Sequence, residues 1–404
     1  MKKFHLEMSE PVVVEQGAVG DTQWGHYQFP SFSRTEDGGI FLSWSYSADD
    51  ITYKSHDTTG IRTRAVSEDG GATWRDIRPT DRIQLPMMPN GKLFAGFLGK
   101  GAYKTDAYDK YTPAAKSWRT EVFFAEDIED QTDCIVRARE MDPVTHEVTD
   151  FTCTVNWPHK PIAMHPDKHI YPLTQAFALC NGSGLTIHEG VMYFLMYTTG
   201  FDSDAKTREE AVTKYTGHCQ VYLFKSEDCG RTWDYLSNVQ MEDEFYTEAS
   251  EGFGEPMMTV APDGSFVALL RTNGCQPPFG PSCIVRSTDK GKTWSRPAVF
   301  DECGVRPQIV TLKCGVTLAG YGRPFLRIRA TADPAAMEWE APVTIPLMGE
   351  GKVEYSSWKS CFYVNFMPLD DCSALFAYTD FQYPNKDGAP VKTVLVRKIT
   401  VVED

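Results

Sequence analysis

The sequence predicts an all-β chain folded as a six-bladed β-propeller with four antiparallel strands per blade, and three observations lead there. The first is an octapeptide written three times, Ser67 to Trp74 (SEDGGATW), Ser226 to Trp233 (SEDCGRTW) and Ser287 to Trp294 (STDKGKTW), all of the form S-x-D-x-G-x-T-W. Its chemistry is that of a β-hairpin tip. Asp and Gly supply a tight, partly left-handed turn, Asp and Ser/Thr side chains bond turn amides, and the Trp folds back on the sheet as a plug. The second is the period: the last two copies lie 287 − 226 = 61 residues apart, the length of one four-stranded sheet with its turns. The third is a recurring unit of inner strand, x-Gly turn and second strand, which can be followed six times along the chain.

Taken in order, residues 3 to 15 hold the β-like run Pro11-Val12-Val13-Val14, expected to complete the last blade as a leading strand. Blade one begins near Phe29-Pro30-Ser31-Phe32, turns at Asp37-Gly38-Gly39, continues as Ile40 to Trp44 and ends at the first octapeptide. Blade two, about residues 82 to 145, has the runs Lys92 to Phe97 and Glu121 to Phe124 and no octapeptide. Blade three runs from about His169 through Gly190 to Leu195 and on to Trp233. Blade four starts at Gly254-Glu255-Pro256, passes through Asp263-Gly264 and Phe266 to Arg271, and ends at Trp294. Blade five opens with Val305-Arg306-Pro307-Gln308, continues through Cys314-Gly315 to Gly322-Arg323, and has Ala336-Met337-Glu338-Trp339 where an octapeptide is expected. Blade six begins at Tyr355-Ser356-Ser357-Trp358 and closes with Thr393 to Lys398. Residues 1–404 thus read as one domain, with the polar segments 101–118 and 200–217 as surface excursions that shape a rim.

Composition narrows the function classes. A formal charge of −15 without a long Lys/Arg run argues against binding a nucleic-acid backbone or an anionic membrane; an anionic ligand would need basic residues to converge locally. No window approaches the length of a transmembrane helix, and the start Met1-Lys2-Lys3-Phe4-His5 has no apolar signal core, so a cytoplasmic chain, or one whose signal has been removed, is expected. The eleven cysteines include no CxxC pair, which fits reduced thiols rather than a zinc knuckle. His165 and His169 lack companions at metal-ligand spacing, so neither a metal nor a cofactor is expected.

In a propeller the inner strands converge on the axis, so polar residues at equivalent points of different repeats are the candidates for chemistry. The octapeptides resemble the Asp box of the sialidase superfamily, an architectural element, and the resemblance extends to particular residues over essentially the whole chain. Glu255 and Arg271, 271 − 255 = 16 residues apart, stand where the family carries its glutamate and second arginine; Tyr355-Ser356 matches its nucleophile motif; Arg323, 355 − 323 = 32 residues earlier, falls near its third arginine. Gly182-Ser183-Gly184-Leu185 is similar to the Gly-rich start of the family's third blade. The resemblance implies an exo-α-sialidase in which arginines grip the substrate carboxylate, a tyrosine paired with Glu255 is the nucleophile, and an aspartate is the acid/base. The residue types fit the task. A phenol avoids the repulsion that a carboxylate nucleophile would meet beside an anomeric carboxylate, and arginine forks hold a carboxylate in two parallel bonds.

The chain departs from that pattern in blade one, where Gln28 occupies the place of the first arginine. Glutamine donates a hydrogen bond but brings no charge, which weakens carboxylate binding by roughly 1.5–3 kcal/mol. Arg34 and Arg306, near strand ends, are candidates to compensate. For the acid/base, the loop before the first octapeptide offers Asp57, 67 − 57 = 10 residues ahead of Ser67, with Asp50 in reserve and His56 as a further substrate-binding candidate. The expected function is a retaining exo-glycosidase that removes a terminal acidic sugar, sialic acid or a related one, from a glycan. Two alternatives stay open: a propeller glycosidase or lyase acting on a uronic-acid-containing glycan, and a non-catalytic glycan-binding propeller.

Overall fold

The computed structural model describes residues 3–46, 63–117, 120–180, 184–239, 245, 250–273, 280–347 and 363–404. The chain is mostly strand, and its central strands are apolar on both faces. Ile40–Tyr46, Thr317–Gly322 and Ser373–Pro384 bury almost every residue over their first halves or more. Such runs arise where a sheet is covered on both sides.

The first sheet is antiparallel, in the order His26–Arg34, Ile40–Tyr46, Thr63–Ser67, Arg75–Asp76. An eleven-stranded sheet follows, in which three strand groups share edges. Leu93–Phe97 pairs with Val136–Met141 and that strand with Val148–Asn156. Val148–Asn156 then runs parallel beside Thr232–Val239, the outer strand of the group Leu185–His188, Val191–Thr199, Cys219–Ser226, Thr232–Val239. The third group is Ser250–Val260, Phe266–Asn273, Ser282–Ser287, Ala298–Asp301. Next comes the four-stranded sheet Val305–Thr311, Thr317–Gly322, Arg327–Thr331, Val343–Thr344. In the last sheet Val364–Pro368, Ser373–Pro384 and Pro390–Glu403 are consecutive, and Phe4–Met8 and Val12–Gln16 from the start of the chain both pair with Pro390–Glu403.

Apolar clusters join successive groups face to face. Phe94 and Phe97 meet Phe194, Phe224 and Trp233; Leu195 meets Phe253 and Phe266; Leu269 meets Ile309 and Tyr321; Leu318 and Ile328 meet Phe376; and Phe32 and Leu42 meet Leu375 and Ala377. The face between the first sheet and Leu93–Phe97 is different. There Ser31, Ser33, Ser43 and Arg64 line a cavity of about 630 Å³ opposite Leu93 and Phe94.

Two segments depart from the sequence expectation. Glu121–Phe124 does not join Leu93–Phe97; it pairs with Pro161–Met164 in a separate five-stranded sheet with Tyr103–Lys104, Ala115–Lys116 and His169–Tyr171. A short apolar run fits any strand edge that offers it hydrogen bonds and a covered face, and the Phe123 ring finds that cover against Tyr108. Part of the segment 200–217 is the helix Arg208–Thr213, capped by the Thr207 side chain.

The three octapeptides fold alike. Ser67 Oγ accepts from the Gly71 amide and donates to Asp69, both at 2.8 Å, and Asp69 in turn accepts from the Thr73 amide at 2.9 Å. The same bonds recur at Ser226, Asp228 and Gly230 and at Ser287, Asp289 and Gly291. The Thr73 hydroxyl, with the Thr73 amide and Ser67, holds the Asp69 carboxyl down at about 2; at Asp289 burial pushes the group up, but the Thr293 hydroxyl and amide and Ser287 outweigh it and hold it at about 2 as well. Ser226→Ala should strand the buried Gly230 amide and lower stability by about 1–2 kcal/mol, read as an earlier urea midpoint with circular dichroism unchanged.

Candidate active site

Four sheets each bring one residue to a common point, and the repeat explains how. Phe29, Glu255, Arg306 and Tyr363 all stand eight residues ahead of a turn residue: Asp37, Asp263, Cys314 and Asp371 (37 − 29, 263 − 255, 314 − 306, 371 − 363). The first three precede a proline and have left-handed backbone, with φ of 56° at Phe29, 46° at Glu255 and 40° at Arg306. The same one-residue bulge surrounds each of them. Pairing jumps from Gln28–Ser45 to Ser31–Ser43, from Gly254–Arg271 to Met257–Leu269, and from Val305–Gly322 to Gln308–Gly320. A proline that cannot donate to the ladder, together with an extra residue, takes the preceding side chain out of the strand's alternation.

Glu255 is where these groups meet. Its Oε2 accepts from Arg271 Nη1 at 2.7 Å and from the Arg306 backbone amide at 3.0 Å, and its Oε1 accepts from the Tyr363 hydroxyl at 3.1 Å. The side chain keeps 16% exposure, enough for a ligand to reach it, while Arg271 keeps 8% and Arg323 is fully buried. Burial pushes the Glu255 carboxyl up, but Arg271, Arg306 and Arg323 outweigh it and hold the group below the ordinary glutamate range. Three guanidinium groups thus act on one carboxylate. Glu251, mostly exposed, lies 3.8 Å from the other terminal nitrogen of Arg271.

Aromatic rings wall the same place. The Tyr363 ring lies 4.6 Å from Phe29, and Trp24 meets Phe381 edge-on at 6.2 Å. Arg306 sits over Phe29 and Tyr363, at 5.3 and 5.5 Å from the ring centres, and Arg323 over Trp24 and Tyr363, at 5.4 and 5.5 Å. Polar bonds fix the strands below. Asn365 donates to Gln308 at 3.2 Å and accepts from the Phe32 amide at 3.2 Å, so the sheets that supply Phe29, Arg306 and Tyr363 are held in register with one another.

Of the sequence candidates, Glu255, Arg271, Arg306 and Arg323 come together here. Gln28 adjoins Phe29 in the strand and is fully buried, and among the described residues neither its amide oxygen nor its nitrogen has a hydrogen-bond partner. Arg34 lies apart, donating to the Pro368 carbonyl at 2.6 Å beside the 630 Å³ cavity. Asp50, His56, Asp57 and Tyr355 lie outside the described residues. Sequence reasoning missed Tyr363, Phe29 and Trp24. The eight-residue distance to the turn was the signal that would have found the first two.

Asp301, Glu302 and Cys303 place ligand atoms within 4.8 Å of one another, but Asp301 is already engaged by Tyr321 and Arg327. These three neighbours therefore make a weak case for a metal. Among the described residues no helix is long and apolar enough to cross a membrane.

The depressed Glu255 carboxyl has a consequence for acid stability. Its contribution is complete above the ordinary glutamate value and is lost as pH falls through its lower folded-state value. The gap in urea midpoint between the native chain and Glu255→Gln should therefore be constant from about pH 7 to 5 and shrink below about 4.5; a constant gap down to pH 3 would contradict the assignment.

No family model matches the sequence, and no curated protein matches it. Solved structures do. A protein of unknown function from Dyadobacter fermentans is similar at 17% identity and a TM-score of 0.52, covering 98% of this chain and 99% of that one. The α-L-arabinofuranosidase Arb93A from Fusarium graminearum, in complex with an iminosugar inhibitor, is similar at 10% identity and a TM-score of 0.50, covering 96% and 97%. The NanB sialidase from Streptococcus pneumoniae is similar at 12% identity and a TM-score of 0.45, covering 97% of this chain and 70% of that one. In overall fold, the chain is similar to the Dyadobacter protein and to the arabinofuranosidase.

Proposed function

We propose that this chain is a six-bladed β-propeller glycoside hydrolase that removes a terminal acidic sugar, sialic acid or a related one, from glycan ends with retention of configuration. The observation that carries this reading is the 3.1 Å hydrogen bond from the Tyr363 hydroxyl to Glu255, set among three guanidinium groups. A phenol is a poor nucleophile until its proton leaves, and a carboxylate kept ionised at hydrogen-bond distance is the group that can take it. Arg306 and Arg323, over the Tyr363 ring, offset the negative charge that develops on the phenol oxygen. Arg271, Arg306 and Arg323 supply the grip on the substrate carboxylate, and Trp24 and Phe29 give the sugar ring an apolar wall. In this mechanism Tyr363 attacks the anomeric carbon, the bond to the leaving oxygen breaks as that oxygen is protonated, and water later displaces tyrosine from the glycosyl-enzyme. Asp57, with Asp50 as the alternative, is the proposed acid/base, and His56 is proposed to assist binding. Tyr355 remains the alternative nucleophile.

Gln28 favours a second substrate. A buried neutral amide with no partner suits a hydroxyl or an amide of the ligand better than a second carboxylate oxygen, and it admits a uronic acid in place of sialic acid. The test is release of 4-methylumbelliferone from conjugates of N-acetylneuraminic acid, glucuronic acid and L-arabinofuranose. Turnover of an acidic conjugate is expected. Turnover of the arabinofuranoside alone would overturn the acidic reading, a 4,5-unsaturated uronic acid formed from a uronic-acid-containing oligosaccharide would point to a lyase, and binding without turnover would leave a glycan-binding protein.

A further inference from the structure

Two thiols at the far end of the site-bearing strands carry an inference independent of the hydrolase reading. Cys314 lies in the turn after Val305–Thr311, and Cys372 in the turn after Val364–Pro368. These turns belong to neighbouring sheets and are bonded to each other. The Cys314 amide donates to the Asp371 carbonyl at 2.9 Å, and Lys313 pairs with Asp371 at 3.3 Å. By standard backbone dimensions that amide bond places the two Cα atoms roughly 5–6.5 Å apart, inside the window a disulfide requires. Both side chains are half-exposed at the edge of one apolar cluster, whereas Cys134, Cys153, Cys180, Cys283 and Cys303 are buried.

We propose that Cys314 and Cys372 are an oxidisable dithiol that closes into a disulfide when a small-molecule disulfide is the oxidant, clipping the two turns together. The exchange balances in two steps. The Cys372 thiolate attacks one sulfur of oxidised glutathione, forms a mixed disulfide and releases one glutathione thiolate. The Cys314 thiolate then attacks the Cys372 sulfur, forms the intramolecular bond and expels the second glutathione. Two electrons pass to the oxidant, and the two thiol protons end on two glutathione molecules. The hydrogen bond with Cys314 raises the Cys372 thiol above its ordinary range, and burial adds to this, so the exchange speeds up with pH across the alkaline range. The strands that precede the two turns begin at Val305, next to Arg306, and at Val364, next to Tyr363, so the clip would fix the far ends of two strands that supply the site.

The test is incubation of the whole chain with oxidised glutathione, followed by peptide mapping without reduction. The expected result is one crosslinked peptide pair, Cys314 with Cys372, and a rise in Tm of about 2–5 °C that dithiothreitol reverses. Cys314→Ser should instead trap a glutathione adduct on Cys372 and show no rise. Adducts on both native cysteines without a crosslink, no reaction at either, or a crosslink made only by other cysteines would each overturn the proposal. The mapping on the native sequence needs no variant to fold.

Discussion

Tyr363→Phe is expected to lower kcat on the acidic conjugate by about 10³-fold or more while leaving KM within a fewfold of the native value. The change removes one oxygen and nothing else. The ring that packs 4.6 Å from Phe29 and lies beneath Arg306 and Arg323 stays in place, so the pocket keeps its shape and its cations. Among the described residues, what goes is the only group in contact with Glu255 that can form a bond to carbon. The hydroxyl is one of several partners of Glu255, so the loss in stability should stay near 1 kcal/mol. A variant that keeps native kcat would move the nucleophile to another residue, and Tyr355→Phe is then the next measurement.

Glu255→Gln is expected to show two losses that separate. Turnover should fall by about 10²–10⁴-fold, because an amide cannot accept the phenol proton. Stability should fall by about 3 kcal/mol, because Arg271, at 8% exposure, loses the charge of the carboxylate that it meets at 2.7 Å. Adding Arg271→Met removes the stranded cation and should restore most of the urea midpoint while turnover stays lost. If the double variant were no more stable than the single one, the Arg271–Glu255 pair would not be the origin of the instability. If Glu255→Gln kept native turnover, the proton would leave tyrosine by another route.

The sequence displays its strands and turns more openly than its site. The octapeptides are local: Ser and Asp accept from amides four residues on, the Thr hydroxyl donates back to the Asp, and the pattern survives in the chain as a pattern. At the degenerate copy, Asp333 still caps the Met337 and Glu338 amides without the serine, and Trp339 still donates to the Ala336 carbonyl. The Glu255 and Arg271 pair was readable from spacing because both lie in one hairpin. Tyr363 was legible only through its eight-residue distance to the turn, because the run Phe362-Tyr363-Val364-Asn365-Phe366 reads as buried strand and its contact with Glu255 spans 108 residues. Glu121–Phe124 went astray for a related reason: alternation shows that a run is a strand, and only the surrounding chain decides which edge it joins.

The left-handed residues ahead of Pro30, Pro256 and Pro307 also bear on the thermodynamics of ligand binding. Each such conformation costs on the order of 1–3 kcal/mol and persists only because the sheets on either side hold it. That cost falls on folding, not on the encounter with substrate. Phe29, Glu255 and Arg306 stand in position before a sugar arrives, and their backbone has no alternative basin to leave. Capture by these groups therefore carries little ordering entropy, so the pocket resembles a rigid mould rather than a closing hand.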